Sequence, residues 1–184
     1  VAPDLLVEAG RIGAVALSPQ SHADAMLGFA VRAALGPLDA GQAVAVADGR
    51  VLAIEGAEGT DAMLERIAAM DRGGGDAGRR GVLTKGPKPG QELRVDMPAI
   101  GPRTVELAVA AGLAAVAVEA RAVLVLDRDE TVRAADAHGC AIEGLPGAGR
   151  SGPGGIAFTH AEGRVLSRVR PSLRGRTDIA RGLA

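Results

Sequence analysis

Between Gly81 and Thr104 the chain reads GVLTKGPKPGQELRVDMPAIGPRT, an irregular run holding two lysines, one central aspartate, four prolines and four glycines. Lys85 and Lys88 stand three residues apart across Gly86-Pro87, and the fixed φ of proline limits how far the backbone between them can wander. Two ammoniums aimed at one pocket suit a diphosphate, whose leaving oxygen gathers charge as the phosphoanhydride breaks. Asp96 lies between Val95 and Met97-Pro98, an apolar setting that does not suit a carboxylate placed for solubility. The plainer account of the same residues is a pair of solvated loop lysines and an aspartate capping a turn.

A second polar cluster, Glu58-Gly59-Thr60-Asp61, lies upstream. At a helix start the backbone N–H groups attract anions, and glycine lets a ligand come close. Asp61 or Glu58 could instead hold Mg²⁺, a hard cation that takes carboxylates together with phosphate oxygens. An ordinary helix cap with acidic first-turn residues fits the same four residues.

The elements that must position these groups follow from periodicity and turn chemistry. Ser21 to Asp24 opens a helix with Ala25, Phe29 and Ala33 on one face, Ser21 as its N-cap and Gly36 as the residue after its end. Ala43–Ala47 and Val51–Glu55 flank Asp48-Gly49, a strong hairpin signal. Thr60 caps a helix to about Met70 with Met63, Leu64 and Ile67 facing inward, and Gly81 to Thr84 reads as a short buried strand. Pro102 suits the first turn of a helix closed by Gly112. Ala114–Glu119 and Val123–Leu126 are strands that a tight turn at Ala120-Arg121 would join, followed by a helix from Asp129 to His138 and a strand near Ala141–Glu143. The expected fold class is α/β: a mixed β-sheet with packed helices and at least two hairpins, forming a single domain over residues 1–145 with a weakly ordered C-terminal tail over 146–184.

Composition narrows the function classes. The chain has 184 residues, no Trp or Tyr, and only Phe29 and Phe158 as aromatics, so its core is aliphatic. The formal charge of −1 gives no overall pull towards nucleic acid or anionic membrane. From Arg150 onwards there are seven arginines against Glu162 and Asp178, whereas the remainder has 14 basic and 20 acidic residues. Without an aromatic platform beside those arginines, no nucleic-acid partner is expected. The single cysteine, Cys140, excludes an internal disulfide, fits a reducing cytosol and reads as a buried structural thiol. His22, His138 and His160 share no metal-ligand spacing. No run is apolar enough to span a bilayer and no signal pattern opens the chain, so a cytoplasmic location is expected.

Taken together, EGTDAML (Glu58–Leu64), KGPKPGQ (Lys85–Gln91), RVDMPAIGPRTVELA (Arg94–Ala108) and GLAAVAVEA…VLVLDRDE (Gly112–Glu130) resemble the LpxI-type UDP-2,3-diacylglucosamine pyrophosphatases, in order from about Val1 to Leu145. The resemblance implies a cytoplasmic enzyme of lipid A synthesis in Gram-negative bacteria, transiently at the inner-membrane surface. It would use Mg²⁺ to hydrolyse UDP-2,3-diacylglucosamine to UMP and 2,3-diacylglucosamine 1-phosphate (lipid X). Carried over by motif, Asp96, Lys85 and Lys88 would be catalytic. Glu58, Gly59, Thr60, Gly101 and Thr104 would contact substrate, and Asp96 and Asp61 would hold the metal. Met97 and Ala99 replace the usual Leu and Thr of the motif, and Arg121 stands where glycine is usual. The family's glycine-rich first domain does not precede Val1 here, so the expectation is a C-terminal fragment that alone lacks half of a two-domain site. The alternative is a catalytically incompetent domain that only binds sugar nucleotide or lipid.

Overall fold

A computed structural model of the chain describes residues 5–70, 78–88 and 97–146, together with the backbone of two short strands in the tail. Two compact units divide the chain, Val1–Arg150 and Ser151–Ala184. The first is built on segments such as AVAVA and AVAVE, whose alternation and β-branching favour a strand buried on both faces.

The elements of the first unit run β1 (Gly10–Ile12), α1 (Pro19–Leu35), β2 (Ala43–Ala47), β3 (Arg50–Ile54), α2 (Gly59–Ala68), β4 (Val82–Lys85), β5 (Ala99–Ile100), α3 (Pro102–Ala110), β6 (Ala115–Glu119), β7 (Leu124–Val125), α4 (Arg128–Ala137) and β8 (Ala141–Leu145). Six strands form a mixed sheet in the order β1-β8-β6-β4-β2-β3. The central β4, β6 and β8 are parallel, while β1, β2 and β3 each pair antiparallel. Successive side chains on a strand point to opposite faces. Ala43, Ala45, Leu83, Val116, Val118 and Ile142 therefore join one core with α2, α3 and α4. Val44, Val46, Val82, Ala115 and Ala117 join a second core with Phe29 of α1. The α1 axis comes close to β4: a Cβ at Gly28 would lie 2.5 Å from Thr84 Oγ1, so glycine is needed there.

The expected mixed α/β sheet is the one found, and the Asp48-Gly49 hairpin holds, with φ of 53° and 73° at its two turn residues. Buried Asp24 of α1 fixes that turn, its carboxylate accepting the Asp48 N–H at 3.0 Å and the Gly49 N–H at 2.7 Å. Three local expectations are corrected. Helix α1 begins three residues early, with Ser18 as N-cap accepting from the Ser21 N–H at 3.0 Å. Gly36 has a right-handed φ of −52° because the chain tightens into a 3₁₀ turn, and Asp39 takes the left-handed conformation instead. Strands β6 and β7 form no hairpin. Both edges of β6 are occupied by β4 and β8, so the chain leaves the sheet and β7 pairs in parallel with β5. Strand β1 is an addition that the sequence did not announce.

In the second unit, β9 (Ala157–Thr159) and β10 (Val165–Arg168) form an antiparallel ladder. The rest of the tail expected to be weakly ordered lies outside the described residues, as does Asp96. Among the described residues no helix is long and apolar enough to cross a membrane.

Candidate active site

The carboxyl ends of the parallel strands β4, β6 and β8 share one end of the sheet. Because β2 runs against β4, with Ala43 opposite Lys85, the start of β2 and the end of β3 lie at this same end. Helices α2 and α3 begin there too, after β3 and β5. In open α/β sheets this is the end at which ligands bind.

Lys85 is the last residue of β4, and strand alternation puts it on the face of Leu83, towards α2. Its Nζ donates to Thr60 Oγ1 at 3.0 Å. The Thr60 hydroxyl in turn donates to Glu55 Oε1 at 3.0 Å, and Glu55 Oε2 accepts the Gln42 backbone N–H at 2.6 Å. Burial pushes the Lys85 pKa below the ordinary lysine range, opposed by the carboxylates of Glu55 and Asp61. An ammonium with little water around it interacts more strongly with an incoming phosphate than a solvated one does. Thr60 does not cap α2 as expected. Glu58 is the N-cap residue, without a side-chain cap bond, and the Thr60 hydroxyl is committed to Lys85 and Glu55.

Lys88 is engaged elsewhere, its Nζ donating to Asp39 Oδ1 at 2.8 Å in the connection between α1 and β2. The two lysines share an end of the sheet, Lys85 bonding Thr60 and Lys88 bonding Asp39. Between them, the Gly86-Pro87 turn is gripped by Arg32 of α1, whose guanidinium bonds the Pro87 carbonyl and the Glu119 carboxylate at the end of β6. Arg32 is 6 % exposed and its Cζ stands 5.6 Å from the Phe29 ring centroid. A Cβ at Gly86 would meet Arg32 Cζ at 2.8 Å and Glu119 Oε2 at 2.9 Å, so a side chain there would displace the ends of this ion pair.

At the α2 start, Asp61 Oδ2 accepts from Arg103 Nε at 2.7 Å, tying α2 to the first turn of α3. Glu58 pairs with Arg66 at 2.9 Å, and a backbone N–H and then Arg66 hold its carboxyl below the usual range. Gly59 has a φ of +82° and open space where a Cβ would stand. Thr104 Oγ1 accepts the Gly101 N–H at 3.3 Å, closing the α3 N-terminus. Of the residues expected from sequence, Glu58, Gly59, Thr60, Asp61, Lys85, Lys88, Gly101 and Thr104 thus occupy one end of the sheet.

Mg²⁺ takes one or two carboxylates plus phosphate oxygens and water. Asp61, about half exposed beside a cation-rich mouth, can supply one such carboxylate once Arg103 shares it. Among the described residues no three His, Cys, Asp or Glu side chains gather into a protein-only cage. A concavity of about 650 Å³ lies at the other end of the sheet, lined by Ala47, Arg50, Ile67, Arg80, Ala110 and Gly112 among others, and none of the described site residues lines it.

The family model described as the LpxI C-terminal domain matches residues 8–143, which include all of these site residues. The chain belongs to the LpxI family. It is also 44 % identical over 144 residues to the UDP-2,3-diacylglucosamine pyrophosphatase LpxI of Caulobacter vibrioides, covering 77 % of this chain and 51 % of that protein. The chain therefore spans about half the length of the curated relative it matches. Within this LpxI C-terminal domain, Arg121 adopts a φ of 61°, the left-handed conformation that favours glycine. Its N–H is held by the Val7 carbonyl at 2.7 Å.

Four participants escaped the sequence reading: Glu55, Arg103, Arg32 and Glu119. Two carried a usable signal. Arg32 is a charge three residues beyond Phe29 on the buried stripe of α1, and Arg103 is a cation in a helix first turn, where the dipole disfavours it. Each implies a nearby carboxylate. Glu119 ends β6 and Glu55 directly follows β3, and both look like ordinary solvated strand termini.

Proposed function

We propose that this chain is the C-terminal domain of a cytoplasmic, lipid A pathway pyrophosphatase acting on UDP-2,3-diacylglucosamine, with UMP and 2,3-diacylglucosamine 1-phosphate as products and contact with the inner-membrane surface where the lipid substrate resides. The observation that carries this reading is the 44 % identity to a protein of that named activity. The cationic end of the sheet is in keeping with it. The desolvated Lys85 ammonium stabilises charge on the bridging and non-bridging phosphate oxygens. Lys88 supplies a second cation at the mouth, and Gly59 and Gly101 give access to the starts of α2 and α3. Asp61 and Asp96 would hold Mg²⁺, which when bound neutralises the phosphoanhydride oxygens. Asp96 is also the group to take the proton of the attacking water. Water adds to the α-phosphorus, the bond from that phosphorus to the bridging oxygen breaks, and the bridging oxygen leaves on the sugar phosphate.

The test is incubation of the chain with UDP-2,3-diacylglucosamine and Mg²⁺ in ¹⁸O-labelled water. Release of UMP carrying the label is expected. Label in the sugar phosphate would place the attack on the other phosphorus and overturn the reaction written here. Saturable binding without UMP would make the chain a binding domain. Asp96→Ala should abolish hydrolysis with an unchanged circular dichroism spectrum, and near-normal turnover in that variant would sink the role of Asp96.

A further inference from the structure

We propose that Glu55 is a positioning residue for Lys85, acting through the Thr60 hydroxyl to fix the direction and charge of the ammonium; the proposal rests on the phosphate role of Lys85 given above. An ionised carboxylate only accepts hydrogen bonds and an ammonium only donates them. The Thr60 hydroxyl, 3.0 Å from each, has one proton, which goes to Glu55 and leaves its oxygen as acceptor for Lys85. The relay has a single direction, Lys85 to Thr60 to Glu55. Glu55 is itself immobile, because Oε2 takes the Gln42 N–H at 2.6 Å and its own backbone bonds Ala43 and Gly41. One N–H of Lys85 is thus fixed, which orients the ammonium for an anion.

The surrounding charges leave this work to Glu55. Asp61, on α2, faces Lys85 but shares its charge with Arg103 of α3. Arg32 and Glu119 pair with each other on the α1 face of the sheet, and Lys88 bonds Asp39. Thr60 is 8 % exposed, so bulk water does not replace the relay once it is broken.

The experiment is an NMR titration of ¹³C-lysine-labelled chain following the Lys85 ε-carbon, in the wild type and in Glu55→Gln, with inorganic pyrophosphate binding measured across the same pH range. Glu55→Gln is isosteric but removes the carboxylate charge that opposes the lowering of the Lys85 pKa by burial. The Lys85 midpoint should fall, and the alkaline limit of pyrophosphate binding should fall with it. Affinity at pH 9 should drop roughly tenfold, as expected when a charged group loses its oriented partner. Thr60→Val, which deletes the bridge while keeping the carboxylate, should lower the midpoint in the same direction and serves if Glu55→Gln does not fold. A midpoint unmoved in a folded variant overturns the proposal, since a merely structural Glu55 would alter stability and leave the lysine titration alone. A wild-type chain that binds no pyrophosphate overturns the orienting of Lys85 for phosphate, whatever its midpoint does, whereas failure of UMP release alone bears on the reaction and not on this relay.

Discussion

Arg32 and Glu119 meet across the carboxyl end of β4, one from the last turns of α1 and the other from the end of β6, with the turn between Lys85 and Lys88 held beneath them. Strand alternation sends Glu119 to the α1 face and Lys85 to the α2 face, so two neighbouring parallel strands present opposite charges to opposite layers. Arg32 Nε is buried without a hydrogen-bond partner among the described residues, so within them the pair does not recover all of its desolvation.

Removing one member should therefore cost more than removing both. Arg32→Met is expected to destabilise by about 3 kcal/mol, because Glu119 is left without its cation in a site only 27 % exposed. Arg32→Met combined with Glu119→Met should lose less than Arg32→Met alone. Urea unfolding midpoints at constant m-value measure both, and a double variant weaker than the single would refute the account.

Asp24 predicts a second effect, at the opposite end of the sheet. Asp24→Ala removes the acceptor for two N–H groups of the Asp48-Gly49 turn and should cost about 2 kcal/mol. Because that turn lies away from Lys85, the Lys85 titration should not move. A shift of that midpoint in Asp24→Ala would show that general loosening, not local charge, controls the lysine.

Cys140 gives a pH prediction. Burial raises its thiol from 9.0 to about 11, with Arg79 opposing slightly. A folded state that holds the proton more tightly is favoured while the thiol stays protonated in both states. That stability is complete below pH 9 and is lost as pH rises towards 11, to a total of about 3 kcal/mol. A thiol reagent at pH 8 should leave the native chain unmodified and label it in urea. The alkaline loss should be absent in Cys140→Ala, and its persistence there would assign it to another group.

The family signature, the interleaving of strands and helices, and the inward residues of α2 were all legible in the sequence, because each depends on near neighbours: period, turn chemistry and motif spacing. The Asp48-Gly49 hairpin needs four consecutive residues to declare itself, and Met63, Leu64 and Ile67 need one helical turn. The error at β6 and β7 shows the limit. Ala120-Arg121 has the look of a tight turn, but whether two strands pair depends on which edges are already taken, and β6 had none free. The site divides in the same way. Sequence alone brought forward Lys85, Lys88, Thr60 and Asp61 as residues of a phosphate-handling chemistry. Only the tertiary structure decided that Lys85 answers to Thr60 and Glu55 while Lys88 answers to Asp39, and that Arg32 reaches Glu119, 87 residues away. Residue type fixes what a side chain can do, whereas its partners are set by strand order and face, which are collective properties of the folded sheet.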